Sequence, residues 1–207
     1  MEDFGLYVIL TRPGVGHAAA AEVAVRSGVR MLQLREKEMA DGELLRVARE
    51  VRTVTRGTQT RFIVNDRPDI AVLAEADGVH VGQEDLPVGE VRRLVGEGRI
   101  VGLSTHSIAQ ARAAQSLKGV DYIGFGPVYP TTTKAVPDPV VGTALLGEVM
   151  GFSRLPVVAI GGIFPENLSA VRAAGARNLC LVRYLMEPTE PAEMERRIEE
   201  VRRWMQE

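Results

Sequence analysis

The chain is predicted to fold as a (β/α)8 barrel, and three observations predict it. Eight short, apolar, β-rich runs recur along the sequence, amphipathic stretches separate them, and 207 residues suit a single domain spanning 1–207 with one strand–helix pair per run. Strands that are apolar throughout, with helices between them, imply a parallel sheet buried on both faces. Such a sheet either closes into a barrel or stays open and doubly wound; eight repeats in so short a chain favour the barrel.

The strands are expected at 6–10, 31–34, 61–64, 78–81, 100–103, 122–125, 157–160 and 179–182. Between the second and third, residues 41–56 carry Leu44, Leu45, Val47, Ala48, Val51 and Val54 at helical spacing. Residues 107–117, with their run of alanines, read as another helix. The last helix is expected over 192–205, with Met194, Ile198, Val201, Trp204 and Met205 as its apolar side, which suits a barrel wall better than a partner site. The longest loop, 126–141, is rich in Pro and Thr, and a loop of that size in a compact domain is usually functional.

Charge narrows the ligand. With 25 basic and 27 acidic residues the chain has no broad positive field, so neither nucleic acid nor an anionic membrane is an expected partner, and the ligands should be small molecules. The N-terminal run MEDFGLYVIL lacks the basic-then-apolar build of a signal peptide, and no stretch approaches the ~20 apolar residues of a membrane span, which gives a cytoplasmic expectation. Cys180 is the only cysteine and sits in an apolar run, as a small buried hydrophobe does. Nothing in the pattern sets an oligomeric state.

In a barrel the chemistry lies at the C-terminal ends of the strands, so the polar residues that follow each apolar run are the candidates. They are Gln33, Arg35, Glu36 and Lys37 after the second strand, Asn65-Asp66 after the third, and Gln83, Glu84 and Asp85 after the fourth. Ser104-Thr105-His106 end the fifth, Thr131 to Lys134 follow the sixth, and Gly161-Gly162 the seventh. Alternation puts Gln33, Arg35 and Lys37 on one side of their strand, where a guanidinium fork beside an ammonium grips a polyphosphate. Lys134 adds a third cation; Lys37, Lys118 and Lys134 are the only lysines in an arginine-rich chain. Asp66 and Asp85 among these cations suggest Mg²⁺ held by one or two carboxylates and the substrate's phosphates. Each pair could equally be a plain ion pair at the rim, and Asn65-Asp66 before Arg67-Pro68 could be a helix cap. Gly161-Gly162 could cradle a phosphate on backbone N–H groups or simply make a tight turn. The three histidines, His17, His80 and His106, show no metal-ligand spacing, and no nucleophile elbow occurs.

Taken in order, the runs QLREK at 33–37, FIVNDRPDIA at 62–71, ADGVHVGQEDLP at 76–87, VGLSTHS at 101–107, DYIGFGPVYPTTTK at 121–134 and PVVAIGGI at 156–163 resemble the thiamine-phosphate synthase family. The resemblance implies a (β/α)8 barrel that condenses hydroxymethylpyrimidine diphosphate with hydroxyethylthiazole phosphate and releases diphosphate. It implies that Gln33, Arg35, Lys37, Asn65, Ser104 and Lys134 hold the pyrimidine diphosphate, with Arg35, Lys37, Ser104 and Lys134 acting on the reacting group. Asp66 and Asp85 would ligate Mg²⁺, and Thr131, Thr133 and Gly162 would receive the thiazole phosphate; outside the resemblance, Val182 and Arg183 are further substrate-binding candidates after the last strand. No protein nucleophile is needed, and the electron-rich aminopyrimidine favours a dissociative path.

The match breaks at the last strand. The family usually has small residues there, including a serine that seats the thiazole phosphate, whereas this chain reads Leu181-Val182-Arg183-Tyr184-Leu185, and Asn178 stands where glycine is common. Arg183 either adds a cation to the phosphate site or, with Tyr184, fills the thiazole pocket. Two other readings follow from the same barrel. One is a thiazole tautomerase, whose histidine in the loop after strand six is matched here by Pro127; the other is a sensor that binds the pyrimidine diphosphate without turnover.

Overall fold

The computed structural model describes residues 2–132 and 138–206. Among them, eight parallel strands follow one another in chain order around a (β/α)8 barrel: β1 (Tyr7–Leu10), β2 (Met31–Leu34), β3 (Arg61–Asn65), β4 (Gly78–Val81), β5 (Ile100–Thr105), β6 (Tyr122–Phe125), β7 (Val157–Ile160) and β8 (Asn178–Cys180). A parallel bridge from Leu6 to Leu179, with the Leu179 N–H donating to Gly5 O at 3.1 Å, brings β8 back to β1. The outer ring is α1 (His17–Arg26), α2 (Asp41–Thr55), α3 (Pro68–Leu73), α4 (Val88–Val95), α5 (Ile108–Ala114), α6 (Gly142–Phe152), α7 (Leu168–Ala173), the short α8 (Val182–Met186) and α9 (Pro191–Gln206). No described helix is long and apolar enough to cross a membrane.

The strands are apolar throughout because they face two cores. Outward side chains such as Val8, Leu32, Val64, Val79 and Val101 pack under the helices. Inward ones, Tyr7, Ile9, Met31, Ile63, Tyr122, Val158 and Cys180, form a separate cluster inside the barrel. Phe4 closes its lower end, edge-on to Tyr7 at 5.8 Å and to Tyr122 at 5.9 Å. The segment carrying Phe4 is held by Asn178, which is fully buried. The Asn178 Oδ1 accepts from the N–H groups of Phe4 at 2.7 Å and Gly5 at 3.0 Å, while its Nδ2 donates to Asp3 and to Val157 O. An amide at this position therefore does structural work that a glycine could not.

The expected run at 179–182 is corrected at its end: β8 stops at Cys180 and Val182 already opens α8. Leu181 and Val182 are apolar because one is buried under the wall and the other faces the cavity, and burial alone does not distinguish strand from helix.

Candidate active site

A cavity of about 1000 Å³, counted out to its solvent mouth, opens at the C-terminal end of the barrel. Of the residues expected there, Gln33, Arg35, Asn65, Ser104, Thr131, Gly162, Val182 and Arg183 line it. Thr133 and Lys134 lie outside the described residues. Lys37, Asp66 and Asp85 gather at the rim, where the Lys37 Nζ lies 3.1 Å from Asp66 Oδ2 and the Gly82 N–H donates to Asp85 Oδ2 at 2.7 Å. The expected alternation along β2 thus holds: Gln33 and Arg35 face inward, and Lys37 continues the same side onto the rim.

Asp66 is no helix cap, since Arg67 and Pro68 open α3. Its backbone sits at φ 58°, a left-handed conformation that Asp tolerates better than most residues, and its N–H donates to His80 O at 2.8 Å. That bend turns its carboxylate across to Asp85, whose carboxyl is pushed above its ordinary range, first by burial and then by the bond to Asp66. Two carboxylates turned on each other, with a lysine ammonium 3.1 Å from one of them, are a pair that a hard divalent cation would complete. No group of three or more Asp, Glu, His or Cys is placed to hold a metal ion among the described residues, so such an ion would take its other ligands from phosphate and water. The donor set fits Mg²⁺ in that manner.

Arg35 is a second cation inside the wall. Burial lowers the pKa of its guanidinium, with the charges of Asp66 and Glu36 opposing that effect. Glu36, between Arg35 and Lys37, points the other way: it accepts from the Arg12 N–H at 2.5 Å and pairs with His17 Nε2 at 2.7 Å. This anchorage ties the loop carrying both cations to the ends of β1 and α1. Burial pushes the Glu36 carboxyl up, but the bonds from His17 and Arg12 outweigh it and the net shift is downward.

Across the mouth, Gly161 and Gly162 stand at φ 96° and 63°. A Cβ on Gly162 would come within 2.6 Å of Pro130 O and 2.7 Å of Tyr129 Cβ. Glycine is therefore required here by the close crossing of two loops, whatever else the turn binds. Arg183 leans over the Phe164 ring, 4.8 Å from its centroid, and both line the cavity. Tyr184 turns the other way: its hydroxyl donates to Glu200 on α9 at 2.7 Å and its ring lies under Arg197. The two bulky residues after β8 thus diverge, and Tyr184 does not fill the pocket.

The cavity also contains residues that strand-end reading missed: Tyr7, His80, Tyr122 and Cys180 on its inner wall and Phe164 near its mouth, while His106, a strand-end candidate, lines it too. The signal for His80 was register. It pairs with Asn65 on one side and Gly102 on the other, in phase with the inward residues of both neighbours.

Comparison with known proteins bears on family and fold. Residues 6–185 match the family model described as thiamine monophosphate synthase. The chain is 41% identical to a thiamine-phosphate synthase of Methanospirillum hungatei over 183 residues, 87% of this chain and 88% of that one. It is 48% identical to one of Pelotomaculum thermopropionicum over 159 residues, 76% of this chain and 72% of that one. Among solved structures, a thiamine phosphate pyrophosphorylase from Pyrococcus furiosus superposes with a TM-score of 0.82 at 30% identity, covering 96% of this chain and 97% of that one.

Proposed function

The chain belongs to the thiamine monophosphate synthase family, and we propose that it joins hydroxymethylpyrimidine diphosphate to hydroxyethylthiazole phosphate, as a transferase of small molecules working in the cytoplasm. The observation that carries the reading is the Lys37–Asp66 pair at 3.1 Å with Asp85 turned onto it, at the rim of a cavity walled by Gln33, Arg35, Asn65 and Ser104. Polar grip at the rim and a part-apolar wall below suit a heteroaromatic diphosphate.

In this reaction the thiazole nitrogen forms a bond to the pyrimidine's methylene carbon, and the carbon–oxygen bond to diphosphate breaks with its electron pair leaving on oxygen. No residue of the protein need become covalently attached. Arg35 would take diphosphate oxygens through its planar fork and Lys37 through a point charge, both opposing the negative charge that grows on the leaving group. Mg²⁺, held by Asp66 and Asp85, would supply further neutralisation of that charge when bound. Gln33, Asn65 and Ser104 would orient the pyrimidine half. Thr131, Gly162, Val182 and Arg183 would take the thiazole phosphate, and Thr133 and Lys134, which lie outside the described residues, keep the roles that the family resemblance implies for them, toward the thiazole phosphate and the diphosphate. The aminopyrimidine donates electrons to the methylene carbon, which favours departure of diphosphate ahead of attack.

The test is diphosphate release by the purified protein with Mg²⁺ and both substrates, beside the same mixture without the thiazole phosphate. Thiazole-dependent release is expected. Binding of the pyrimidine diphosphate without release would turn the reading to a sensor, and isomerisation of a thiazole carboxylate phosphate alone would turn it to a tautomerase.

A further inference from the structure

Beneath the cavity five polar side chains from five strands form one continuous hydrogen-bonded line. Gln33 Nε2 donates to the Tyr7 hydroxyl at 2.9 Å, the Tyr7 and Tyr122 hydroxyls lie 2.8 Å apart, Tyr122 meets His80 Nδ1 at 2.9 Å, and His80 Nε2 meets Ser104 Oγ at 2.9 Å. The line joins β2 to β5 across the barrel interior through β1, β6 and β4. Space for it is made by Gly102, where a Cβ would overlap both the Tyr122 hydroxyl and His80 Nδ1.

Chemistry fixes the polarity of this line. An amide nitrogen only donates, so the Tyr7 oxygen accepts there, and its own hydrogen goes to Tyr122. Both phenols are fully buried, and burial raises their pKa values, so both remain protonated donors. Tyr122, accepting from Tyr7, donates to His80 Nδ1. The ring proton of His80 then sits on Nε2 and is given to Ser104 Oγ. Ser104, already accepting, has its own hydroxyl hydrogen left for the cavity. At the other end, a Gln33 amide committed by its nitrogen has its Oε1 left as an acceptor.

We infer that Tyr7, Tyr122 and His80 are positioning residues that hold Ser104 as a donor and Gln33 as an acceptor on facing walls, so that the site selects an aminopyrimidine over its oxo counterpart. An aminopyrimidine offers a ring nitrogen that accepts and an exocyclic amino group that donates. Its oxo analogue offers a ring N–H and a carbonyl, the reverse order, and would leave polar groups on both sides unpaired. The inference rests on the proposed pyrimidine diphosphate substrate and deepens it.

The experiment combines nitrogen NMR of His80 with binding and kinetics of Tyr122→Phe, which keeps the ring and removes the link. In the wild-type protein His80 should carry its proton on Nε2. Tyr122→Phe should weaken binding of the aminopyrimidine diphosphate about 10- to 100-fold, as loss of a group that orients a ligand-binding side chain does. It should leave the KM for thiazole phosphate unchanged and narrow the preference over the oxopyrimidine diphosphate. In a Ser104→Ala background the same change should cost clearly less than in the wild-type protein, because only the Gln33 arm of the line is left to disturb. A proton on Nδ1, or fully additive losses, overturns the inference. Should Tyr122→Phe not fold, Tyr7→Phe and the NMR measurement decide it. Absence of thiamine phosphate formation by the wild-type protein would instead sink the proposed function, while pyrimidine diphosphate binding and the His80 tautomer would still test the line.

Discussion

Replacing Asn178 by Ala should lower stability without touching the catalytic rim. The substitution removes four hydrogen bonds, to Phe4 N, Gly5 N, Asp3 and Val157 O. They do not count equally. Asp3 is exposed and its carboxylate regains water, while the buried Phe4 N–H loses the acceptor that satisfies it. One buried donor left unsatisfied, together with the net loss of a second, partly buried bond at Gly5, comes to about 3 kcal/mol. For a chain of this length that corresponds to a fall in Tm of about 6–12 °C. Thermal unfolding followed by circular dichroism, with matched urea titrations, measures it, and turnover well below the transition should be retained. Asn178→Asp is the informative companion: it keeps an acceptor for the two N–H groups but replaces the donor by an oxygen facing Asp3 and Val157 O, so it too should be less stable. A fall below about 2 °C for the alanine variant would refute this accounting of the N-terminal plug.

Two further outcomes follow from the rim and its anchorage. Asp66→Asn, which tolerates the same left-handed backbone but removes the charge, should raise the Mg²⁺ concentration needed for half-maximal turnover by about tenfold or more, with Tm unchanged; Mg²⁺ titrations of turnover check it. Glu36, whose carboxyl is held below its ordinary value of 4.5, contributes stability that is present above that pH and lost as pH falls through its lower folded value. Tm measured against pH should therefore drop less steeply below pH 4.5 in Glu36→Gln than in the wild-type protein, and parallel profiles would contradict the assignment.

The barrel was legible because each strand lies between two cores and so reads as an unbroken apolar run, and the ends of most runs coincide with the ends of strands. The rim was legible for a different reason. Arg35, Lys37, Asn65, Asp66 and Asp85 stand directly after apolar runs, so their polarity is conspicuous, and their chemistry converges only if the strands are parallel and side by side. The error at β8 has the same root: Leu181 and Val182 extend the apolar run past the last strand residue, Cys180, because both are needed by neighbouring packing. Asn178 and Tyr184 were seen as departures, but their partners, the Phe4 N–H and Glu200, could not be named from a pattern.

The inner line of polar groups was invisible for a reason that lies in the energetics of burial. A buried hydroxyl or imidazole is tolerated only when a partner satisfies it, since leaving it unpaired costs about 1–3 kcal/mol. Its presence in a strand is thus explained by a residue elsewhere, and here the partners are remote: Tyr7 and Tyr122 are 115 positions apart, and His80 is 42 from Tyr122 and 24 from Ser104. Locally, Tyr7 and Tyr122 look like strand-forming aromatics and His80 like a stray between two valines. Only barrel closure brings the three to one level below Gln33 and Ser104. The strand-end residues could be recognised one at a time because water or a ligand can satisfy each of them. The residues beneath them have no separate meaning, and any change to one, such as a Cβ at Gly102, would be felt at the cavity wall through the other members of the line.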